Sequence, residues 1–258
     1  IHNEIIKDKL INIILDKSEE ILKKSKIKFN YPETQIYRKN KTNLNCERHF
    51  GIFNKYKIIP KFCFSCYKVQ ITLDDVLGLL KLYFYFNDLI LEKNNIRKCM
   101  IEIRDKVSGN YKGLIYCSGL SEAQRIEKYL NPIIKKTIGE NVSIFIKRGC
   151  TEFAISYPKY KEIDQSMNYN NDWIEKEKIV DNKLKKRNKF SEKILKETLE
   201  GLSINDALIM KNWLYFAKSI NDESYKKFNT NIPDSEYLYK KLNGQVNHRK
   251  NELKKLNL

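Results

Sequence analysis

The distribution of hydrophobic and polar residues predicts helices at both ends of the chain and a mixed region between them. Apolar residues recur at helical spacing over residues 3–25, whereas residues 26–62 follow no period and are predicted to be irregular. A second apolar helix is predicted over residues 203–218, where Ser203 and Asp206 have the spacing of a capping box. A last helix, basic at its end, is predicted over residues 235–256.

In the middle of the chain, alternation of apolar and polar residues predicts strands, and a three-to-four-residue period predicts helices. The predicted order is strand 67–71, helix 73–90, strands 98–104 and 113–117, helix 121–139, and strands 142–147 and 152–157. We expect capping boxes at Thr72 with Asp75 and at Ser121 with Gln124. Helix 73–90 is apolar almost all round, so we expect it to be buried on more than one side.

This succession, β-α-β-β-α-β with an extra strand, predicts an α+β protein with a ferredoxin-like core. Three segments are expected: an N-terminal helix and metal-binding segment (1–62) packed on the core, the core itself (63–160), and a polar linker with C-terminal helices (161–258).

Alternation along the strands predicts a charged sheet face opposite the two helices. We expect the helix-facing set to be Val69, Ile71, Ile101, Ile103, Ile144 and Ile146, and the open set to be Lys68, Gln70, Glu102, Arg104, Phe145 and Lys147. An open face of this kind could bind an anion, be solvated, or be covered by the C-terminal helices.

Composition adds a strong positive charge to this picture. The 258 residues include 49 Lys and Arg against 32 Asp and Glu, for a formal net charge of +17. A potential of this sign favours polyanionic partners. However, 41 of the basic residues are Lys, and Lys, Asn and Ile share A/T-rich codons, so a Lys-rich solvated surface is the alternative. With 16 Tyr and 12 Phe, the chain is not expected to be disordered.

The sequence gives no reason to expect a membrane protein or a secreted one. Its apolar runs are far shorter than the about 20 residues that a membrane span needs, and no signal peptide is recognisable. The six Cys are not spaced like a secreted disulfide scaffold, so we expect a reducing, cytoplasmic setting.

Two closely spaced ligand pairs predict a zinc site. Cys46-Glu-Arg-His49 is followed, after 13 residues, by Cys63-Phe-Ser-Cys66. Each two-residue gap can place two ligands on one side of an ion, and the second pair completes a tetrahedron. Three thiolates and one imidazole leave no open position, so the predicted zinc is structural. The alternative is four ordinary residues brought near each other by chance.

Three further motifs have both a functional and a purely structural interpretation. Cys117-Ser118-Gly119 precedes a helix, whose N-terminus could bind an anion and lower the thiol pKa, or the motif is a tight turn. Lys147-Arg148-Gly149-Cys150 is a basic hairpin tip or an ordinary hairpin turn. The run 183–189 has five basic residues and could follow a phosphate backbone or lie on a solvated helix.

The sequence therefore favours a zinc-stabilised basic protein that binds a polyanion, with RNA as the preferred partner. The expected anion contacts are Lys68, Arg104, Lys106, Lys112, Ser118, Gly119, Lys147 and Arg148, together with the 183–189 run. One alternative is an enzyme for a phosphorylated or other anionic small substrate, with Glu102, Arg104, Cys117, Cys150 and Glu152 as catalytic candidates. With three His in the chain, a Ser-His-Asp or Cys-His mechanism has almost no imidazole to use, and the sequence has no HExxH, Walker A or GxGxxG motif. The other alternative is an interaction module of a larger assembly.

Overall fold

A computed structural model describes residues 8–25, 33–38, 44–104, 107–161, 163, 167–186 and 202–228, and residues 240, 243 and 247. Within this part the protein is a mixed α+β structure with a five-stranded antiparallel sheet and seven α-helices. The predicted α+β class is thus confirmed. None of the described helices is both long enough and apolar enough to cross a membrane.

The sheet has a non-sequential strand order. Its strands are β1 (Gln35–Arg38), β2 (Tyr67–Leu73), β3 (Arg97–Ile101), β4 (Tyr111–Cys117) and β5 (Ser143–Arg148). Their order across the sheet is β1-β3-β4-β2-β5, and every adjacent pair is antiparallel. β2 and β4 pair over their full lengths, so alternate residues of both strands fall on one face.

The helices are α1 (Asp8–Ser25), α2 (Cys46–Tyr56), α3 (Val76–Asp88), α4 (Leu120–Thr137), α5 (Thr151–Ser156), α6 (Ile174–Lys186) and α7 (Ile204–Ser219). Short 3-10 helices lie at Lys61–Ser65, Pro158–Lys161, Asn171–Trp173 and Glu223–Lys227. Of the helix predicted over residues 235–256, the structure describes residues 240, 243 and 247, which are helical; the rest lies outside the described residues.

The main core forms between one sheet face and helices α1, α3, α4 and α7. Val69, Ile71 and Ile115 from the central strands are fully buried beside apolar residues of all four helices. Trp213 of α7 is also fully buried, and its indole N–H donates to the Thr34 carbonyl at 2.9 Å. α3 is enclosed between the sheet and α7, which accounts for its apolar residues on almost every side. The aromatic residues of α7 are thereby used in the core.

Several segments differ from the predicted secondary structure. Helix α2 lies within residues 26–62, which were predicted to be irregular. The strand predicted over 152–157 is the short helix α5, whose Phe153 is buried against Phe53 with ring centroids 4.8 Å apart. Six residues are too few for alternation to separate a strand from a helix, and tertiary packing decides. The extra strand is instead β1, in the segment predicted to be irregular, because it pairs with β3 far along the chain.

Of the three predicted capping boxes, one is confirmed. Ser203 and Asp206 form the expected capping box of α7. In α3, Asp75 is itself the N-cap and accepts from the Gly78 amide at 2.7 Å, so the box predicted with Thr72 is wrong. α4 begins one residue before Ser121, with Gly119 as N-cap.

The polar linker predicted after residue 160 contains defined structure. α6 packs on α2, where the Arg48 guanidinium donates to Glu177 at 2.8 Å and to Asp181. Residues 187–189 of the basic run lie outside the described residues.

Candidate functional site

Five thiol and imidazole side chains line one small pocket beside the sheet. They are Cys46 at the start of α2, His49 one turn later, Cys63, Cys66 and Cys150. The cavity has a volume of about 10 Å³, close to the space of a single water molecule. All four predicted zinc ligands therefore lie around the same space, and a thiol that was not among them, Cys150, lies there too.

Backbone contacts bring these distant segments together. After β5 the chain turns at Gly149, whose φ of 53° is in the left-handed region. The Gly149 amide donates to the Cys66 carbonyl at 2.7 Å, and the Tyr160 hydroxyl donates to the Cys63 carbonyl at 2.6 Å. The turn between β5 and α5 is thus fastened to the Cys63–Cys66 loop.

A buried ammonium group faces the thiols. Lys68 on β2 is 6% exposed, and its Nζ lies 3.3 Å from the Cys150 Sγ and 5.0 Å from the centre of the Tyr116 ring. In the described part of the chain no carboxylate forms a salt bridge with it. Burying a cation without an anion costs free energy. In the described structure the main polar partner of Lys68 is the Cys150 thiol.

The pocket disfavours thiolates. Burial, and then the neighbouring Cys150, raises the pKa of Cys63 above its usual value. Burial likewise raises the pKa of Cys66, against the opposing effect of Lys68. Cys46 is exposed as a residue, yet burial of its sulfur and then Cys150 raise its pKa to about 11. These three thiols are therefore neutral near pH 7.

His49 has surroundings of a different kind. Its ring stacks on Phe62, with centroids 5.0 Å apart and planes at 19°. Burial, and then the charge of Arg48, lowers the pKa of His49 to about 4, so the imidazole is neutral at pH 7. Its charged neighbours are Arg48 and Asp181, which belong to the α2–α6 contact.

No three His, Cys, Asp or Glu side chains are arranged as a group that could hold a metal ion among the described residues. The sharing of one pocket by Cys46, His49, Cys63 and Cys66 is therefore a proximity of side chains, and zinc ligation stays a prediction.

The cationic face expected on the sheet is largely occupied by internal contacts. Lys112 is 4% exposed and donates to Glu102 at 3.2 Å. Arg104 donates to Glu102 at 2.7 Å and also to Glu152. Lys147 is half-buried and donates to the Thr151 hydroxyl. The expected anion contacts on this face thus already have partners inside the protein, and Lys106 lies outside the described residues.

Arg148, at the end of β5, is another of these predicted contacts that lies inside the protein. It is 3% exposed, and its guanidinium donates to the carbonyls of Phe64 and Met167, each at 3.2 Å. The group also lies over the Phe64 ring, 5.1 Å from its centre. Arg148 therefore braces the loop after α5 and is not presented to solvent.

The start of α4 contains its own carboxylate. Glu122 accepts from the Ser118 amide and hydroxyl, each at 2.7 Å, so the amide near Gly119 that was expected to hold an anion is already satisfied. Burial, and then Glu122, raises the pKa of Cys117 to about 12, opposite to the predicted lowering. Cys117 faces the core, whereas Cys150 lies in the thiol pocket, so the two do not form one catalytic site.

One group of predicted residues does come together, as an ionic cluster of Glu102, Arg104, Lys112 and Glu152. The Glu102 side chain is 1% exposed and contacts both Arg104 and Lys112. Burial alone would raise the pKa of Glu102, but hydrogen bonds and charge from Arg104, and then Lys112, lower it to about 2. Because the four groups pair with one another, the cluster is best explained as structural.

Stability should depend on the charge of Glu102 at acidic pH. Because its folded pKa is depressed, its contribution is present above the ordinary value of 4.5 and is lost as pH falls toward about 2. In urea unfolding at a series of pH values, Glu102→Gln should be less stable than wild type near neutrality, by about 2 kcal/mol. The difference should shrink as pH falls through this window. Glu92→Gln, at an exposed carboxylate, is the control; equal pH profiles for wild type and Glu102→Gln would contradict the assignment.

Helix α4 presents a basic surface that the sequence reasoning missed. Arg125, Lys128 and Lys136 are exposed, and their spacing places them on one side of the helix with Tyr129, which is 53% exposed. No ion pair involves these three cations within the described residues. The signal was present as helical periodicity of charge in residues 121–139. We call Arg125, Lys128, Tyr129 and Lys136 the α4 ridge.

Comparisons of the chain with protein-family models, with curated proteins and with solved structures found no match.

Proposed function

We propose that this is a basic protein that binds a polyanion, with RNA as the preferred partner, through the α4 ridge. The observation that carries the proposal is the presence, on one side of α4, of exposed cations that form no ion pair with any described residue. Arg125 and Lys136 are eleven positions apart, or about 16 Å along the helix axis. A chain of phosphates could therefore contact both, and Tyr129 offers a ring on which an unpaired base could stack.

Binding should be salt-dependent and should weaken when the ridge loses its charge. We expect fluorescence anisotropy with a generic single-stranded RNA to give an affinity that falls steeply with salt. Replacing Arg125, Lys128 and Lys136 with Gln should reduce the slope of log K against log salt by about 2, since each phosphate contact contributes about 0.7.

The matched control replaces Lys17, Lys23 and Lys24 of α1 with Gln. These lysines are also exposed, but they pair with Glu19 and Glu20. Both variants lose the same formal charge, so a loss of binding confined to the ridge variant supports the proposal. Equal weakening by both variants would point to net charge alone, and no binding at low salt would refute polyanion binding.

We also propose that the core is ferredoxin-like. What supports this is that β2, α3, β3, β4, α4 and β5 follow one another along the chain and that their strands lie in the order β3-β4-β2-β5. The two helices of the motif, α3 and α4, share one sheet face with α1 and α7, which leaves the other face to the thiol pocket and the ionic cluster.

A structural zinc ion is the third element of the proposal. It is supported by the common pocket that Cys46, Cys63 and Cys66 line. Six free thiols fit the reducing compartment that such a site needs.

A further inference from the structure

We infer that Cys150 is the fourth ligand of the zinc site, in place of His49, and that Lys68 compensates the charge of the resulting tetrathiolate centre. The inference deepens the proposed zinc site and rests on it. The ligand set is then Cys46, Cys63, Cys66 and Cys150, a set that the linear spacing did not indicate because Cys150 is far from the others in sequence.

The first argument is the position of Cys150. It lines the same pocket as the other three thiols, and the hydrogen bond from the Gly149 amide to the Cys66 carbonyl holds its turn against the Cys63–Cys66 loop. Among the described residues the four thiols line one space without forming a ligating group as placed. Closing them around an ion requires rotation about χ1, which has three staggered states for each cysteine.

The second argument is the buried charge of Lys68. A zinc ion bound by four cysteines displaces four thiol protons, and the centre then carries a net charge of −2. The Lys68 ammonium group donates toward the Cys150 sulfur at 3.3 Å. A tetrathiolate would supply the anion that this buried cation lacks among the described carboxylates. Hydrogen bonds of this kind orient and tune metal ligands.

The third argument concerns His49. Its ring stacks on Phe62, and its chain neighbour Arg48 pairs with Glu177 and Asp181 of α6. His49 therefore contributes to the wall of the pocket and to the α2–α6 contact, while the thiols supply the ligands.

The pocket also has the features that a structural metal needs. The ligands come from α2, the 3-10 helix Lys61–Ser65 with its following residue, and the turn before α5, so one ion would tie three separate segments together. Cys46 is exposed at the rim, which gives an ion a path to the site.

X-ray absorption spectroscopy of the wild-type protein loaded with Zn²⁺ tests the ligand set without any substitution. We expect four sulfur ligands at about 2.3 Å and no nitrogen ligand at about 2.0 Å. Three sulfurs and one nitrogen would overturn the inference in favour of His49, while the proposed zinc site would stand. Failure of the protein to bind one Zn²⁺ per chain would overturn both, and RNA binding is measured separately.

Variants provide a second, independent test, in which a chelator competes with the protein for Zn²⁺. Cys150→Ser should weaken Zn²⁺ binding by more than the about 10–100-fold that outer-shell changes cost, and Lys68→Met should fall within that range. His49→Gln should bind Zn²⁺ within about threefold of wild type. Cys117→Ser, at a buried thiol outside the pocket, is the matched control. A loss confined to His49→Gln would refute the inference even if Cys150→Ser does not fold.

Discussion

Replacing Asp206 with alanine should lower the free energy of unfolding by about 3–5 kcal/mol. The Asp206 side chain is 10% exposed and accepts from the Arg38 guanidinium at 2.7 Å. The same carboxylate accepts from the Ser203 amide at 2.9 Å and from its hydroxyl at 2.8 Å. The substitution thus removes the carboxylate half of the α7 capping box and leaves the buried Arg38 without this counter-charge.

Urea unfolding followed by circular dichroism measures this effect, and a double-mutant cycle assigns it. Arg38→Met should also destabilise the protein, but the double variant should cost less than the sum of the two single variants, because removing both partners leaves no uncompensated charge. Glu175→Ala removes an exposed carboxylate that pairs with Lys178 and serves as control. A cost below about 1 kcal/mol for Asp206→Ala would mean that the pair behaves like a surface salt bridge.

Gly149→Ala should destabilise the protein by about 2–5 kcal/mol, for two separate reasons. An alanine at a φ of 53° costs about 1–2 kcal/mol by itself. Its Cβ would also overlap the Tyr160 hydroxyl and lie 2.6 Å from the Tyr160 ring. Tyr160 is fully buried and its hydroxyl is bound to the Cys63 carbonyl, so it has little room to move; overpacking of this kind costs about 1–3 kcal/mol.

Thermal and urea unfolding test this prediction. Because Gly149 lines the thiol pocket, the same measurements show how far its turn stabilises that region. In a Tyr160→Phe background the added cost of Gly149→Ala should be smaller, because the overlapping hydroxyl is gone. Gly119→Ala is the control, since Gly119 has an extended backbone and no atom within 4 Å of the added Cβ. If Gly149→Ala were as mild as Gly119→Ala, the close contact between the β5 turn and Tyr160 would not exist in solution.

Local sequence signals predicted α1, α3, α4, α7 and the central strands, but not α2 and α6, which lie in segments predicted to be irregular or a polar linker. Seven residues of β2 and thirteen of α3 repeat their periods several times, so pattern alone distinguishes them. The capping box at Ser203 and Asp206 lies within four residues and depends on no distant contact. The shorter elements behave differently. The four residues of β1 and the six of α5 are too short to show a period, and distant partners decide their conformation.

The candidate site, too, was predictable from the sequence only in part. Two Cys pairs in a short segment were recognisable as possible ligands, because a two-residue gap has a direct geometric meaning. Alternation along a strand predicts which face a side chain lies on, but not which groups contact it there. It therefore could not show that Lys68, Arg104 and Arg148 have partners inside the protein. Burial and pairing of these side chains depend on chain segments far away in sequence.

The sequence alone thus determined the α+β class, the positions of the longest helices and central strands, and the excess of positive charge, since each is a property of local pattern or composition. Only the tertiary structure decided that Cys150 lines one pocket with Cys46, Cys63 and Cys66, that Lys68 is buried beside them, and that the α4 ridge carries cations with no ion pair among the described residues. The physical reason is that burial and electrostatic partnership are set by contacts between residues distant in sequence, which no local period encodes.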